Sequence, residues 1–186
     1  NMSYIDAYRK TLKPVEVFAD YITYRPLAFP LVMLFKRLRI TPNMVTFGAL
    51  ICFLLTGYFL ARDITIPAAI LIFLGTLFDC VDGQLARMTN QSSKIGALLD
   101  YYCDILGTLF IFTGIIIFQL STTGNYWVFL YAALSLLFSG MHISLFDDLR
   151  KRFIAQYIEK KPFRPDSGGF TALQARIYSF LAPLPR

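Results

Sequence analysis

Four aspartates interrupt an otherwise apolar stretch of this chain. Asp79 and Asp82 lie near the end of one apolar run, and Asp100 and Asp104 lie in the opening of the next. An ionised side chain within a membrane span is costly and usually functional. On a helix turning about 100° per residue, Asp79, Asp82, Gly83 and Ala86 fall at roughly 0°, 300°, 40° and 340°. Gly96, Asp100, Asp104 and Gly107 likewise fall at roughly 0°, 40°, 80° and 20°. Each helix thus carries an acidic stripe flanked by residues with little or no side chain. A short connector makes the two helices antiparallel neighbours, so the stripes can face each other.

Four carboxylates at close range cannot all ionise without compensation. Two divalent cations would supply it, and hard oxygen ligands suit magnesium, manganese or calcium rather than zinc. Paired metals about 3.5–4 Å apart are a known clamp for phosphoryl displacement. Gly83, Ala86 and Gly96 would let a bulky ligand approach the backbone, and Arg87 adds a forked cation suited to phosphate. Structural ion pairing with Arg87 and Lys94 is the plain alternative, but two cations do not balance four anions. A cation transporter or channel is the other functional class, since intramembrane aspartates also mark ion paths. That class expects acids spread along a path or repeated in symmetry-related halves. Here they gather at one end of one helix pair, beside glycines and an arginine.

The elements that must position these residues are read from hydropathy. The 186 residues suffice for one domain, with 56% apolar and only 16% charged side chains. That is more apolar than ordinary soluble domains. Four stretches can span a bilayer, which takes about 20 mainly apolar residues: residues 44–61, 64–87, 95–120 and 126–145. The expected fold is all-α, a polytopic transmembrane helical bundle with an N-terminal interfacial helix. Residues 1–43 form the N-terminal segment, 44–145 the catalytic core, and 146–186 a loop and the start of a possible further helix. Residues 15–39 read as interfacial, because the apolar run 27–35 is too short to cross and Pro26 and Pro30 interrupt it. Residues 160–169 read as a basic loop, and 170–184 turn apolar again.

Lys and Arg distribution sets the orientation. Seven precede the first span, Arg62 alone follows it, Arg87 and Lys94 occupy the next connector, none the third, and eight follow the fourth span. The amino terminus and the 88–95 connector are therefore expected on the cytoplasmic side. The net charge of +6 then reflects topology, and no nucleic acid partner is expected. Cys52, Cys80 and Cys103 read as small buried residues. His142 reads as a packed polar residue, Tyr101 and Tyr102 as packing the third helix, and Asp147 and Asp148 as lying in solvent or headgroups. Arg150, Lys151 and Arg152 read chiefly as a topology signal, with acceptor binding as the alternative. Asn43 and Thr46, opening the first span, could either cap that helix or touch a nucleotide.

The run Asp-x2-Asp-Gly-x2-Ala-Arg-x8-Gly-x3-Asp-x3-Asp resembles the signature of the CDP-alcohol phosphotransferase family. Asp79, Asp82, Gly83, Ala86, Arg87, Gly96, Asp100 and Asp104 fill all eight fixed positions within 26 residues. The segment Thr41-Pro42-Asn43-Met44-Val45-Thr46 is also similar to the family's at that point. The resemblance implies a membrane enzyme, often a homodimer, whose site faces the cytoplasm. It implies attack on the phosphorus of a CDP-alcohol next to the alcohol, transfer to an alcohol acceptor in phospholipid synthesis, and release of CMP. It further implies that Asp79, Asp82 and Asp100 bind metal, two divalent cations such as Mg2+ or Mn2+. Asp104 would be the base, near a metal itself. Gly83, Ala86 and Gly96 would border the cytidine and Arg87 would hold the diphosphate. Asp104 lies deeper in its span than Asp100, so it is expected to be the better shielded of the two. Family members usually have six spans where this chain gives four clear ones. The residues leave the acceptor open among glycerol phosphate, inositol or its phosphate, serine and a diacylglycerol-type lipid.

Overall fold

The computed structural model describes residues 4–12 and 20–158. In chain order these form α1 (Tyr4–Thr11), a π-helical turn (Asp20–Tyr24), α2 (Arg25–Arg37), α3 (Pro42–Ala61), α4 (Thr65–Thr89), α5 (Lys94–Thr123), α6 (Trp127–Phe153) and a second π-helical turn (Ile154–Ile158). No strand occurs among the described residues. Pro42–Ala61, Thr65–Thr89, Lys94–Thr123 and the continuous stretch Trp127–Ile158 are long and apolar enough to cross a membrane. The fold class is therefore the expected all-α polytopic one. The expected loop 160–169, the apolar piece 170–184 and the beginning of the 15–39 segment lie outside the described residues. The chain divides into two units, Asn1–Ala132 and Ala133–Arg186.

In the first unit the helix ends follow local chemistry. Thr41 is extended and Pro42 opens α3, where a missing N–H costs nothing. Asn90 takes the left-handed conformation at φ 56°, which asparagine tolerates, and the Gln91 amide turns back to the Ala86 carbonyl at 2.9 Å. Ser93 caps α5 by accepting from the Gly96 amide at 3.0 Å. Both helices thus run further than their apolar runs suggest. Only residues 90–93 separate them.

α3 is the hub of this unit. It packs along both α4 and α5, whereas α4 and α5 make little direct backbone contact with each other. That differs from the expectation that the two acidic helices would be immediate neighbours. The reason lies in glycines that seat α5 on α3. A Cβ on Gly57 would strike the Phe110 carbonyl, and one on Gly114 would strike the carbonyl of Gly57. Phe53 of α3 wedges between the other two helices: a Cβ on Gly75 of α4 would come to 2.6 Å of its ring, and one on Gly107 of α5 to 2.8 Å. In lipid, where apolar surface gives little drive to associate, such close backbone approach is what holds helices together.

α2 docks on α4 through Ala28, Phe29 and Val32, which join Val45, Leu77, Val81 and Leu85 in one buried cluster. Pro26 and Pro30 do not break this helix. Pro26 sits in the first turn, and Pro30 lies inside the helix on an exposed face. Pro30 supplies no N–H to the Pro26 carbonyl one turn earlier, so the helix gives up one internal hydrogen bond there and still continues to Arg37. With 13 residues, α2 is about 20 Å long at 1.5 Å per residue, too short for a core of about 30 Å. Its exposed end carries Lys36, Arg37 and then Arg39, consistent with an interfacial helix.

α6 begins in the first unit and its body lies in the second. It outruns the expected end at residue 145. Lys151 pairs with Asp147 at 3.0 Å and Arg152 with Asp148 at 2.7 Å, one turn apart, and such pairs support a helix by about 0.3–0.5 kcal/mol each. Asp147 and Asp148 are thus partly neutralised within their own helix. His142 is exposed in its unit rather than packed. Cys52, Cys80 and Cys103 are buried and free. Tyr101 and Tyr102 are exposed and meet edge to face at 5.7 Å, so they do not pack the helix as expected.

Candidate active site: an acidic cluster beside a polar cavity

α4 presents Asp79 and Asp82, and α5 presents Asp100. One carboxylate oxygen from each lies within 4.8 Å of the others. Asp82 is only 5% exposed, and Asp79 and Asp100 are half-buried. The two stripes meet across the end of α3 rather than by direct helix contact.

Asp104 lies one turn beyond Asp100, outside this three-residue cluster, and is exposed among the described residues of its unit. The expected extra shielding of Asp104 is therefore absent there. The face of α5 packed on α3 runs through Cys103, Gly107 and Gly114. Asp100 falls roughly 40° from the Gly96–Gly114 line and Asp104 roughly 80°. The second aspartate is thus turned further from the hub.

Beside the cluster lies a cavity of about 160 Å³ lined by Pro42, Asn43, Thr46, Asp82, Gly83, Ala86, Arg87, Gln91, Ser92, Ser93, Gly96, Ala97 and Asp100. The cavity therefore joins two of the clustered aspartates to all four of the residues expected to meet a nucleotide diphosphate. Gly83 and Gly96 leave it open. A Cβ on Gly83 would come to 3.4 Å of the Arg87 guanidinium, and one on Gly96 to 3.4 Å of Asn43 Oδ1. The first turns of both α3 and α5 face this space, and helix amino termini favour negative charge. Arg87 is anchored from outside the motif: its Nε donates to the Thr11 carbonyl at the end of α1, at 2.6 Å.

Asn43 and Thr46 lie inside α3, whose capping position is Thr41, so neither caps the helix. Thr46 Oγ1 instead donates to Asp82 Oδ2 at 2.6 Å, with the Pro42 carbonyl at 3.2 Å as the weaker acceptor.

Several lining residues were not singled out by the sequence pattern. Gln91, Ser92 and Ser93 belong to the short connector, which a spacing pattern treats as filler. On the opposite side of α4, Arg25 is 5% exposed and reaches the Cys80 carbonyl at 3.5 Å. Gln84, fully buried, returns a bond to the Arg25 carbonyl at 3.2 Å. Arg25 counts as one more topology charge by position alone; a glutamine within an apolar helix is the signal that could have found this contact.

The donor set fits hard divalent cations. Three carboxylates within 4.8 Å repel one another unless a cation lies among them, and oxygen-only ligands suit magnesium-like ions.

Residues 39–172 match the family described as CDP-alcohol phosphatidyltransferase. Among curated proteins, the chain is 36% identical over 107 residues to phosphatidylinositol phosphate synthase of Corynebacterium glutamicum, covering 53% of this chain and 42% of that protein. It is 38% identical over 78 residues to archaetidylinositol phosphate synthase of Pyrococcus horikoshii, covering 42% of each. It is 40% identical over 77 residues to choline/ethanolaminephosphotransferase 2 of Arabidopsis thaliana, covering 36% of this chain and 20% of that protein. The chain spans less than half the length of these relatives. With the family description covering most of its length, the chain belongs to the CDP-alcohol phosphatidyltransferase family.

Proposed function

We propose that the chain carries the catalytic core of an integral membrane transferase, one that moves a phosphoalcohol (phosphatidyl-type) group from a CDP-alcohol to an alcohol acceptor and releases CMP. The observation that carries this reading is the convergence of Asp79, Asp82 and Asp100 within 4.8 Å, two of which, Asp82 and Asp100, line a cavity together with Gly83, Ala86, Arg87 and Gly96.

Asp79, Asp82 and Asp100 would hold two divalent cations, Mg2+ or Mn2+, which would supply charge neutralisation of the diphosphate and Lewis acidity at the phosphorus. Gly83, Ala86 and Gly96 border the cytidine, with Asn43 on the α3 side. Arg87 and the amino-terminal turns of α3 and α5 hold the diphosphate. Asp104, beside the cluster, takes the proton of the acceptor hydroxyl. The acceptor oxygen bonds to the phosphorus next to the alcohol as the bond from that phosphorus to the CMP oxygen breaks. CMP leaves with that electron pair, in line with the incoming oxygen. The relatives' names include both choline or ethanolamine and inositol phosphate, so the likeness leaves this chain's donor alcohol and acceptor open. The starts of α3 and α5 share one end of the unit with the basic α2 terminus, which supports a cytoplasm-facing site. A homodimer belongs to the same proposal.

The roles separate by mutation. Asp104→Asn is expected to keep cation and CDP-alcohol binding while losing turnover. Asp79→Asn and Asp100→Asn are expected to weaken cation and donor binding as well. Donor affinity across a metal titration, measured beside CMP release, checks this. Near-normal turnover in Asp104→Asn, or donor loss as severe as in Asp79→Asn, would remove Asp104 from the role of base.

A further inference from the structure

We propose that Thr46 is a positioning residue: it fixes the carboxylate of Asp82 in its cation-binding orientation, and it does not donate to the nucleotide. This rests on the transferase reading above.

The Thr46 hydroxyl carries one proton. Two acceptors lie near it, Asp82 Oδ2 at 2.6 Å and the Pro42 carbonyl at 3.2 Å. The shorter bond, to the carboxyl oxygen, is the stronger. That proton is then committed to Asp82, and any nucleotide contact from Thr46 could only accept. Thr46 and Asp82 are each 5% exposed, so water competes little for the bond. A carboxylate turns freely about its last torsion. Holding Oδ2 fixes the plane of the group, and with it the direction of both oxygens.

Thr46 is placed to do this because its helix is the hub. α3 is seated against α5 at Gly57 and Gly114, and its Phe53 reaches both α4 and α5. The hydroxyl is therefore carried on the most constrained element of the unit, and it reaches 36 residues along the chain to a cluster member on α4. A group that orients a metal ligand typically changes metal affinity by about 10–100-fold when removed. Thr46→Val removes the donor and leaves Asp82 buried without that partner, a loss that falls on the ligand and not on the donor substrate.

The test is Mn2+ binding by electron paramagnetic resonance on the purified full chain in detergent, without CDP-alcohol, alongside CMP-release kinetics at saturating Mn2+. Thr46→Val is expected to weaken Mn2+ binding by about 10–100-fold and to leave the donor KM at saturating Mn2+ near that of wild type. Thr46→Ser, which keeps the hydroxyl, is expected to restore the affinity; Thr46→Ala supplies the same comparison as Val if the Val variant does not fold. Wild-type Mn2+ affinity in the Val or Ala variant overturns the proposal, as does a serine variant as weak as Val. A raised donor KM with unchanged Mn2+ affinity overturns it in favour of a nucleotide contact. Wild-type protein that binds Mn2+ through Thr46-supported Asp82 yet releases no CMP from any CDP-alcohol supports the positioning role and sinks the transferase reading instead.

Discussion

Alanine at each helical glycine is expected to change stability with opposite signs, depending on what its Cβ would meet. Alanine is favoured over glycine in a helix by about 0.5–1 kcal/mol. At Gly140 nothing lies within 4 Å of the added carbon, so Gly140→Ala is expected to raise stability by up to that amount with turnover unchanged. At Gly57 and Gly114 the added carbon meets backbone, the Phe110 and Gly57 carbonyls, which cannot rotate away. Overpacking costs about 1–3 kcal/mol; set against the propensity gain, the net loss is about 0–2.5 kcal/mol. For a chain of this size that is a fall in melting temperature of up to roughly 10 °C. Relief requires α3 and α5 to separate by roughly 1 Å, which shifts Asp100 against Asp79 and Asp82. Misplacement on that scale costs up to about 100-fold in rate. Gly107→Ala belongs with this group, since Phe53 Cβ, the stem of the ring, would lie at 2.9 Å. Thermal melts in detergent and CMP release read both effects. If Gly57→Ala and Gly114→Ala melted as high as Gly140→Ala, the glycine contacts would not be what seats α5 on α3.

Two other outcomes follow from the packing and the charge pattern. Gln84 donates to the Arg25 carbonyl, but its Oε1 is buried with no hydrogen-bond partner among the described residues. Gln84→Leu removes one bond worth about 0.5–1.5 kcal/mol and one orphaned acceptor costing about 1–3 kcal/mol, so melting is expected to stay level or rise; a fall of roughly 4 °C or more would mean that the α2–α4 contact depends on that amide. Cysteine labelling with a membrane-impermeant reagent is expected to reach residue 94 from the cytoplasmic side and residue 123 from the other; the reverse pattern would refute the orientation.

The acidic stripes were legible because helical periodicity survives any packing arrangement: Asp79, Asp82 and Asp100 share faces by arithmetic alone. So did the spans, from apolar length. The hub was not legible. α3 is apolar all round, so its pattern has no preferred face, and it is Gly75 against Phe53 on one side and Gly57, Gly107 and Gly114 on the other that show it seated against both α4 and α5. Helix ends were read short where polar residues continue a helix by local means, as with the Asp147–Lys151 and Asp148–Arg152 pairs or the Asn90 and Ser93 caps. Pro30 reads as an interruption in sequence, but it removes a single internal hydrogen bond and α2 continues through it. Arg25 is one more topology charge in sequence, since its burial against Cys80 depends on where α2 docks. Thr46 stands between two roles in sequence, because its bond to Asp82 crosses from one helix to another, which no spacing rule encodes.

Removal of divalent cations tests the acidic cluster most directly. Purified full chain, supplied with a panel of CDP-alcohols and alcohol acceptors, is assayed for CMP release in excess chelator and again after adding back Mg2+ or Mn2+. Release is expected to vanish in chelator and to return with either ion, and Asp79→Asn is expected to require more of it. Undiminished CMP release in excess chelator would contradict a catalytic role for cations held by Asp79, Asp82 and Asp100.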